Sequence, residues 1–131
     1  MAGALITLGN LTGMTDETGT YFFTRAMLSG DDYLKVSKAG YFNGSRRFFT
    51  KGSPTQFLKI TLLPREEVAS YTSSHGASLY IDSKSRLIFP NNAVTHQDGS
   101  QYNGVVHVMA YPIYGDDPQL SDKMPGALVG E

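Results

Sequence analysis

Apolar and polar residues alternate with a period of two along most of this chain, the repeat of a strand with one face on a core and the other on solvent. The organising stretch is Thr15-Asp16-Glu17-Thr18-Gly19. In a run of this kind Asp16 bonds its own downstream backbone and Gly19 takes positive φ, so it predicts a tight turn feeding a strand. That strand is expected over 20–25, with Tyr21, Phe23 and Arg25 on one face and Phe22 and Thr24 on the other. Further strands are expected over 4–9, 33–38, 46–50 and 56–63, the last stopped by Pro64, which has no N–H to give a ladder. Residues 11–14 read as a lead-in to the turn, 26–32 as a loop plugged into the core by Leu28, and 39–45 as a bend. Beyond Pro64, residues 65–69 read as a polar linker or a single helical turn and 70–76 as a polar loop. Strands follow over 77–81 and 86–89 around a turn at 82–85, and the longest strand signal lies at 102–111, where Val106, Val108 and Ala110 oppose Val105, His107, Met109 and Tyr111. The pattern predicts an all-β protein, an antiparallel β-sandwich followed by a second small β-unit, divided into 1–64 and 65–131.

Composition fits that picture. With 14 Gly among 131 residues and no Cys, the chain has the turns a sheet protein needs and no disulfide or thiolate chemistry. The net charge of −1 conceals an asymmetry, because residues 1–65 carry 8 Lys+Arg against 4 Asp+Glu and residues 66–131 carry 3 against 8. Opposite poles of this kind favour head-to-tail association or docking of one half on the other; two unrelated solvated surfaces are the plainer explanation. Arg46-Arg47-Phe48-Phe49 beside Lys35, Lys38 and Lys51 interleaves basic and aromatic groups as single-strand binders do, but an alternating strand yields the same string and the overall charge is near zero. No nucleic-acid partner is expected. No apolar run approaches the roughly 18 residues of a membrane helix, and residues 1–9 lack a signal peptide's basic flank. Both ends read as cut from a longer protein.

Two resemblances add to this. Gly3-Ala4-x-Ile6-x-Leu8, Thr15-Asp16-x-x-Gly19-x-Tyr21-x-Phe23, Leu34-x-Val36-x-Lys38-x-Gly40-Tyr41 and Ile60-x-Leu62 together resemble the carboxypeptidase regulatory-like domain, a transthyretin-like β-sandwich. In the second half, Leu87-x-Phe89-Pro90-x-Asn92-Ala93, Gly99-x-x-Tyr102-x-Gly104-x-Val106-x-Val108 and Met124-Pro125-Gly126 are similar to β-sandwich domains of the netrin-receptor and ankyrin type in bacterial surface proteins. The resemblances imply an extracellular or cell-surface accessory domain with no reaction and no cofactor of its own. Regulatory-like domains begin with one more strand ahead of the Gly-Ala segment, so its absence implies an open edge along Ala4, Leu5, Ile6, Thr7 and Leu8 or along a neighbour. Such an edge attracts a strand from another chain, or from Ala127-Leu128-Val129 of this one.

Candidate chemistry is sparse. His96 and His107 would face each other across a 94–107 hairpin with Asp98 nearby, a set suited to a divalent transition metal, yet their spacing follows no ligand motif. Asp116, Asp117 and Asp122 surround a Pro turn and offer oxygens to calcium, and Tyr111 and Tyr114 offer a planar platform to carbohydrate. Ser73-Ser74-His75 is adjacent only in sequence, which does not bring a nucleophile to a base. No catalytic residue is assigned. The sequence thus reads as a non-catalytic structural or protein-interaction module, binding other domains or copies of itself by strand complementation, with a carbohydrate- or calcium-binding accessory module as the alternative.

Overall fold

The computed structural model describes residues 1–24, 26–50 and 55–125. Its strands are all antiparallel, with one four-residue helix, and the fold is all-β and sandwich-like. Two compact units are present, one of 1–64 with 113–131 and the other of 65–112.

The first unit is built on β1 (Leu5–Leu8), β2 (Leu11–Met14), β3 (Asp31–Ser37) and β4 (Gly44–Phe49), in the spatial order β2-β1-β3-β4. Only Gly9 and Asn10 separate β1 from β2, with Leu8 opposite Leu11. Gly9 has φ +56° and Asn10 a negative φ, the arrangement of a type II′ hairpin turn, whose twist suits the flanking strands. One face of the sheet carries Ile6, Leu8, Leu34, Val36 and Phe48 towards a core that includes Ala4 and Leu62, with Phe23, Tyr41 and Ile60 packed on it. Across that face runs the row Gly13, Ile6, Val36, Gly44, one residue from each strand, with a glycine at either end. The ring of Tyr21 occupies the space a side chain at Gly13 would need, and Ile60 and Leu62 occupy the space over Gly44. Missing side chains on the edge strands thus let the covering residues reach the sheet.

In the second unit β5 (Glu67–Thr72) pairs with β8 (Val105–Met109), with a bulge between Glu67 and Ala69, and β6 (Ala77–Tyr80) pairs with β7 (Arg86–Phe89). Tyr71 of β5 stacks on Phe89 of β7 at 5.0 Å, which ties the two ladders together. Between β5 and β6 the single 3₁₀ turn Ser73–His75 begins with Ser73, which is fully buried. Its N–H donates to Gly104 O, and its carbonyl accepts from Asn92 N.

Four local expectations are corrected. Residues 11–14 are not a lead-in but the outer strand of the hairpin. Residues 20–24 form no strand; they lie over the sheet, Tyr21 on Gly13 and Phe23 edge-on to Tyr21 at 4.9 Å, because aromatic burial there outweighs a ladder. Arg25, also assigned to that strand, lies outside the described residues. Residues 56–63 join no ladder either, although Leu58, Ile60 and Leu62 turn inward as their alternation predicts. Their main-chain groups go elsewhere, Thr61 N to Asp122 O and Leu63 O to Phe42 N. Finally, the stretch read as linker or helical turn and the polar loop behind it contain β5, because pairing with β8 overrides the helical propensity of Glu66-Glu67-Val68-Ala69.

The tail also moves. Residues 113–125 belong with the first unit, where the short helix α1 (Leu120–Lys123) brings the Asp122 carboxylate 3.3 Å from Lys59 Nζ and 3.6 Å from Arg46 Nη2. Counted by unit, the charges are 8 basic against 8 acidic in the first and 3 against 4 in the second. The first unit is therefore neutral, because the four acidic residues of the tail offset the basic excess of residues 1–64.

Candidate functional site

The turn that organises the chain forms as its residues dictate. Asp16 Oδ1 accepts from the Thr18 and Thr20 amides, each at 2.9 Å, and from the Thr18 hydroxyl at 2.7 Å, while Gly19 sits at φ +83°. These bonds, the Thr18 hydroxyl first, hold the Asp16 carboxyl below the ordinary carboxylate range. From this turn Thr15 reaches back: its N–H donates to Ala4 O at 3.0 Å, and its hydroxyl accepts from Ala4 N at 2.8 Å.

That bond settles which groups face outward on β2. Since Thr15 faces β1, alternation turns the main chains of Gly13 and Leu11 inward and those of Thr12 and Met14 outward. Among the described residues no main-chain bond reaches that outward side. The edge residues Leu11, Thr12, Gly13 and Met14 include no charge and no proline, and Met14 is 62 % exposed beside Leu5 of β1, itself 44 % exposed. The opposite edge, β4, carries Arg46 and Arg47. Charged residues of this kind discourage further pairing, so among the described residues β2 is the unprotected edge.

The expected open edge at Ala4, Leu5, Ile6, Thr7 and Leu8 is therefore corrected. β1 is a central strand, hydrogen-bonded to β2 on one side and to β3 on the other, with Ala4 and Ile6 buried. The two-residue hairpin at Gly9-Asn10 supplies the neighbour that a missing first strand would have left out. Ala127-Leu128-Val129, proposed to cover the edge, lie outside the described residues, as does Gly126.

The metal candidates are not brought together. His107 lies opposite Ser70 in the β5–β8 ladder, and its Nδ1 is 3.0 Å from Glu67 Oε2. His96 belongs to a separate tight turn, edge-on to Tyr102 at 5.4 Å. Asp98 turns back onto Ser100, accepting its amide at 2.9 Å and its hydroxyl at 2.6 Å, and the hydroxyl above all lowers its pKa. The geometric reason is that the hairpin closes early, between Val94 and Tyr102, so His107 never lies across from His96. Among the described residues no group of three His, Cys, Asp or Glu side chains stands where it could hold a metal.

The acidic turn is likewise occupied by the protein's own groups. Asp117 Oδ2 pairs with Lys123 Nζ at 2.5 Å and its Oδ1 accepts from Gln119 N at 2.8 Å, and the Lys123 contact chiefly lowers its pKa. Asp122 faces Arg46 and Lys59, while Asp116 is exposed. Tyr114 shares the first unit with these aspartates; Tyr111 belongs to the second. Calcium would have to displace three cations from Asp117 and Asp122.

Arg47, from the basic-aromatic string, binds Asp31 through two nitrogens at 2.9 and 2.8 Å, lowering that carboxyl's pKa, and lies over Phe49. Phe48 is buried. The string is an alternating strand whose arginines are used at home. Ser73 Oγ and Tyr71 Oη are buried without a hydrogen-bond partner among the described residues, so His75 makes no hydrogen bond to the Ser73 hydroxyl. A cleft of about 340 Å3 over the first sheet is lined by Ile6, Leu8, Phe23, Leu34, Phe48 and Leu58 among others, and among the described residues no ionisable side chain borders it.

The sequence reading missed the β2 edge because Leu11-Thr12-Gly13-Met14 is short, with one β-branched residue and a glycine that weakens a strand. The signal that could have found it was Gly9-Asn10, a two-residue hairpin loop between Leu8 and Leu11. Comparison with known proteins finds no family model, no curated protein and no solved structure that matches this chain.

Proposed function

We propose that this chain is a non-catalytic protein-interaction module of an exported or cell-surface protein, and that it binds by accepting a strand from another domain or another copy on the free edge of β2. The observation that carries this reading is the outward row at Thr12 and Met14, two residues whose N–H and C=O groups have no main-chain partner among the described residues, on a strand without charge, proline or bulge. An added strand gains main-chain hydrogen bonds there, and Met14 and Leu5 give it an apolar shelf on the same face. The resemblance to regulatory-like domains supports the exported setting.

Light scattering over a range of protein concentrations tests it, with Thr12→Lys and Met14→Lys beside the parent chain and an immobilised extended peptide copying residues 9–16 as a second probe. The expected result is a mass rising above one chain, or capture by the peptide, for the parent and neither for the lysine variants. A parent that stays a monomer and ignores the peptide overturns the proposal, as does association that both variants retain.

A further inference from the structure

The sequence contains two Asn-Gly pairs, Asn43-Gly44 and Asn103-Gly104. As dipeptides they are chemically identical. Asparagine before glycine has an intrinsic reaction: the glycine nitrogen, unhindered by a side chain, attacks the asparagine Cγ. The attack needs that nitrogen free of a hydrogen bond and able to turn towards the side chain. Both asparagines are exposed, so solvent access does not distinguish them. The backbone does.

Gly44 opens β4 opposite Val36. Thr50 N donates to Gly30 O, which places the even-numbered residues of β4 towards β3, so the Gly44 N–H is a ladder donor to Val36. Ile60 and Leu62 pack directly over it. Gly104 instead lies in a bend just before β8, and its N–H has no partner among the described residues. Only its carbonyl is held, by Ser73 N at 3.0 Å, while on the preceding side the Tyr102 hydroxyl donates to Val105 O at 2.8 Å. The Tyr102 ring packs on Gly104 as closely as Ile60 and Leu62 pack on Gly44, so cover over the glycine does not distinguish the pair; the hydrogen bond on the nitrogen does.

We propose that Asn103 is a site of spontaneous covalent modification, losing its side-chain amide to the Gly104 nitrogen, and that its place in the sheet protects Asn43. The Gly104 nitrogen loses its proton and bonds to Asn103 Cγ; the Cγ–Nδ2 bond breaks and ammonia leaves with a proton, giving a five-membered imide. Water then opens the ring at one carbonyl or the other, yielding aspartate or isoaspartate at 103. The isoaspartyl product inserts a methylene into the main chain and adds a negative charge one residue before the carbonyl that Ser73 holds. The consequence is a loosened junction between β5 and β8.

The test is peptide mass mapping of the folded protein during incubation at mildly alkaline pH, with the urea-unfolded chain as reference and Asn103→Gln as a control. Asn103 is expected to convert faster than Asn43 by roughly fivefold or more, the factor a ladder hydrogen bond supplies. In urea the two should convert at similar rates. Exchange of the Ser73 amide with deuterated water should quicken as the product accumulates, and Asn103→Gln should prevent this. Equal rates at both sites in the folded protein overturn the proposal. So does an Asn103 that keeps its amide while the unfolded chain reacts.

Discussion

At the scale of the residue, four aspartates contribute by what they hold, Asp16, Asp31 and Asp98 exposed and Asp117 half-buried. Asp16 and Asp98 each accept a neighbouring hydroxyl and backbone amides within a turn, and Asp31 and Asp117 each face one cation. All four carboxyls titrate below the ordinary value, so in the acid range the unfolded chain binds more protons than the folded one. Their stabilisation is complete above the unfolded value, about 4, and is lost as pH falls through the lower folded values. Melting temperature is therefore expected to be flat from neutrality to mild acid and to fall below about pH 4. Salt divides the four. Added salt should weaken most the contribution read from Asp31→Asn, whose ion pair is exposed, weaken less that of Asp117→Asn, whose pair is partly buried and which also accepts the Gln119 amide, and spare that of Asp16→Asn and Asp98→Asn, whose partners are neutral. Thermal melts of the four variants at low and high salt check this, and equal salt sensitivity would count against it.

At the scale of the element, the first sheet is fitted to its cover by subtraction. Gly13 and Gly44 end the row through Ile6 and Val36, and side chains from outside the sheet fill both vacancies. A Cβ at Gly44 would stand 2.6 Å from Ile60 Cγ2 and 2.9 Å from Leu62 Cδ2, and one at Gly13 would collide with the ring of Tyr21. Valine has high strand propensity, yet Gly13→Val and Gly44→Val are expected to destabilise by about 1–3 kcal/mol, the usual result of overpacking. Tyr21→Ala removes the obstacle to the first only. Chemical denaturation of Gly13→Val, Tyr21→Ala and the double variant should give a double variant more stable than the sum of the singles implies, since the two residues contend for one space. Additive costs would mean the ring does not rest on Gly13.

At the scale of the whole molecule, the chain order and the contact order part company at the tail. Asp122 is the joint: its carbonyl takes the Thr61 amide at 2.8 Å and its carboxylate faces Arg46 and Lys59. Arg46 has a side chain only 13 % exposed, and its Nε is buried without a partner among the described residues, so removing its counter-charge leaves a largely desolvated cation. Asp122→Ala is expected to cost about 1–3 kcal/mol and to hasten proteolysis within 113–124. Urea midpoints and limited proteolysis measure both; unchanged cleavage in that segment would show that the ion pairs do not hold it.

What the sequence determined by itself is what depends on neighbours in the chain. The period-two alternation placed β1, β3, β4, β6, β7 and β8, the Asp16-to-Gly19 turn follows from side chains that bond their own backbone, and Asp82 caps the 82–85 turn in the same local way. The all-β class follows from these. What only the tertiary structure decided is where a segment's hydrogen bonds go when more than one partner will take them. Residues 20–24 and 56–63 have the strand pattern yet cover a sheet, residues 65–69 read as linker or helical turn and 70–76 as polar loop yet Glu67–Thr72 pairs with β8, and His107 meets Glu67 instead of His96. Periodicity reports which side of a segment is apolar, and that is the same for a strand in a ladder and for an extended segment lying on one. Which of the two forms is fixed by competition among distant partners for the same donors and the same core volume, a comparison that exists only once the chain has closed on itself.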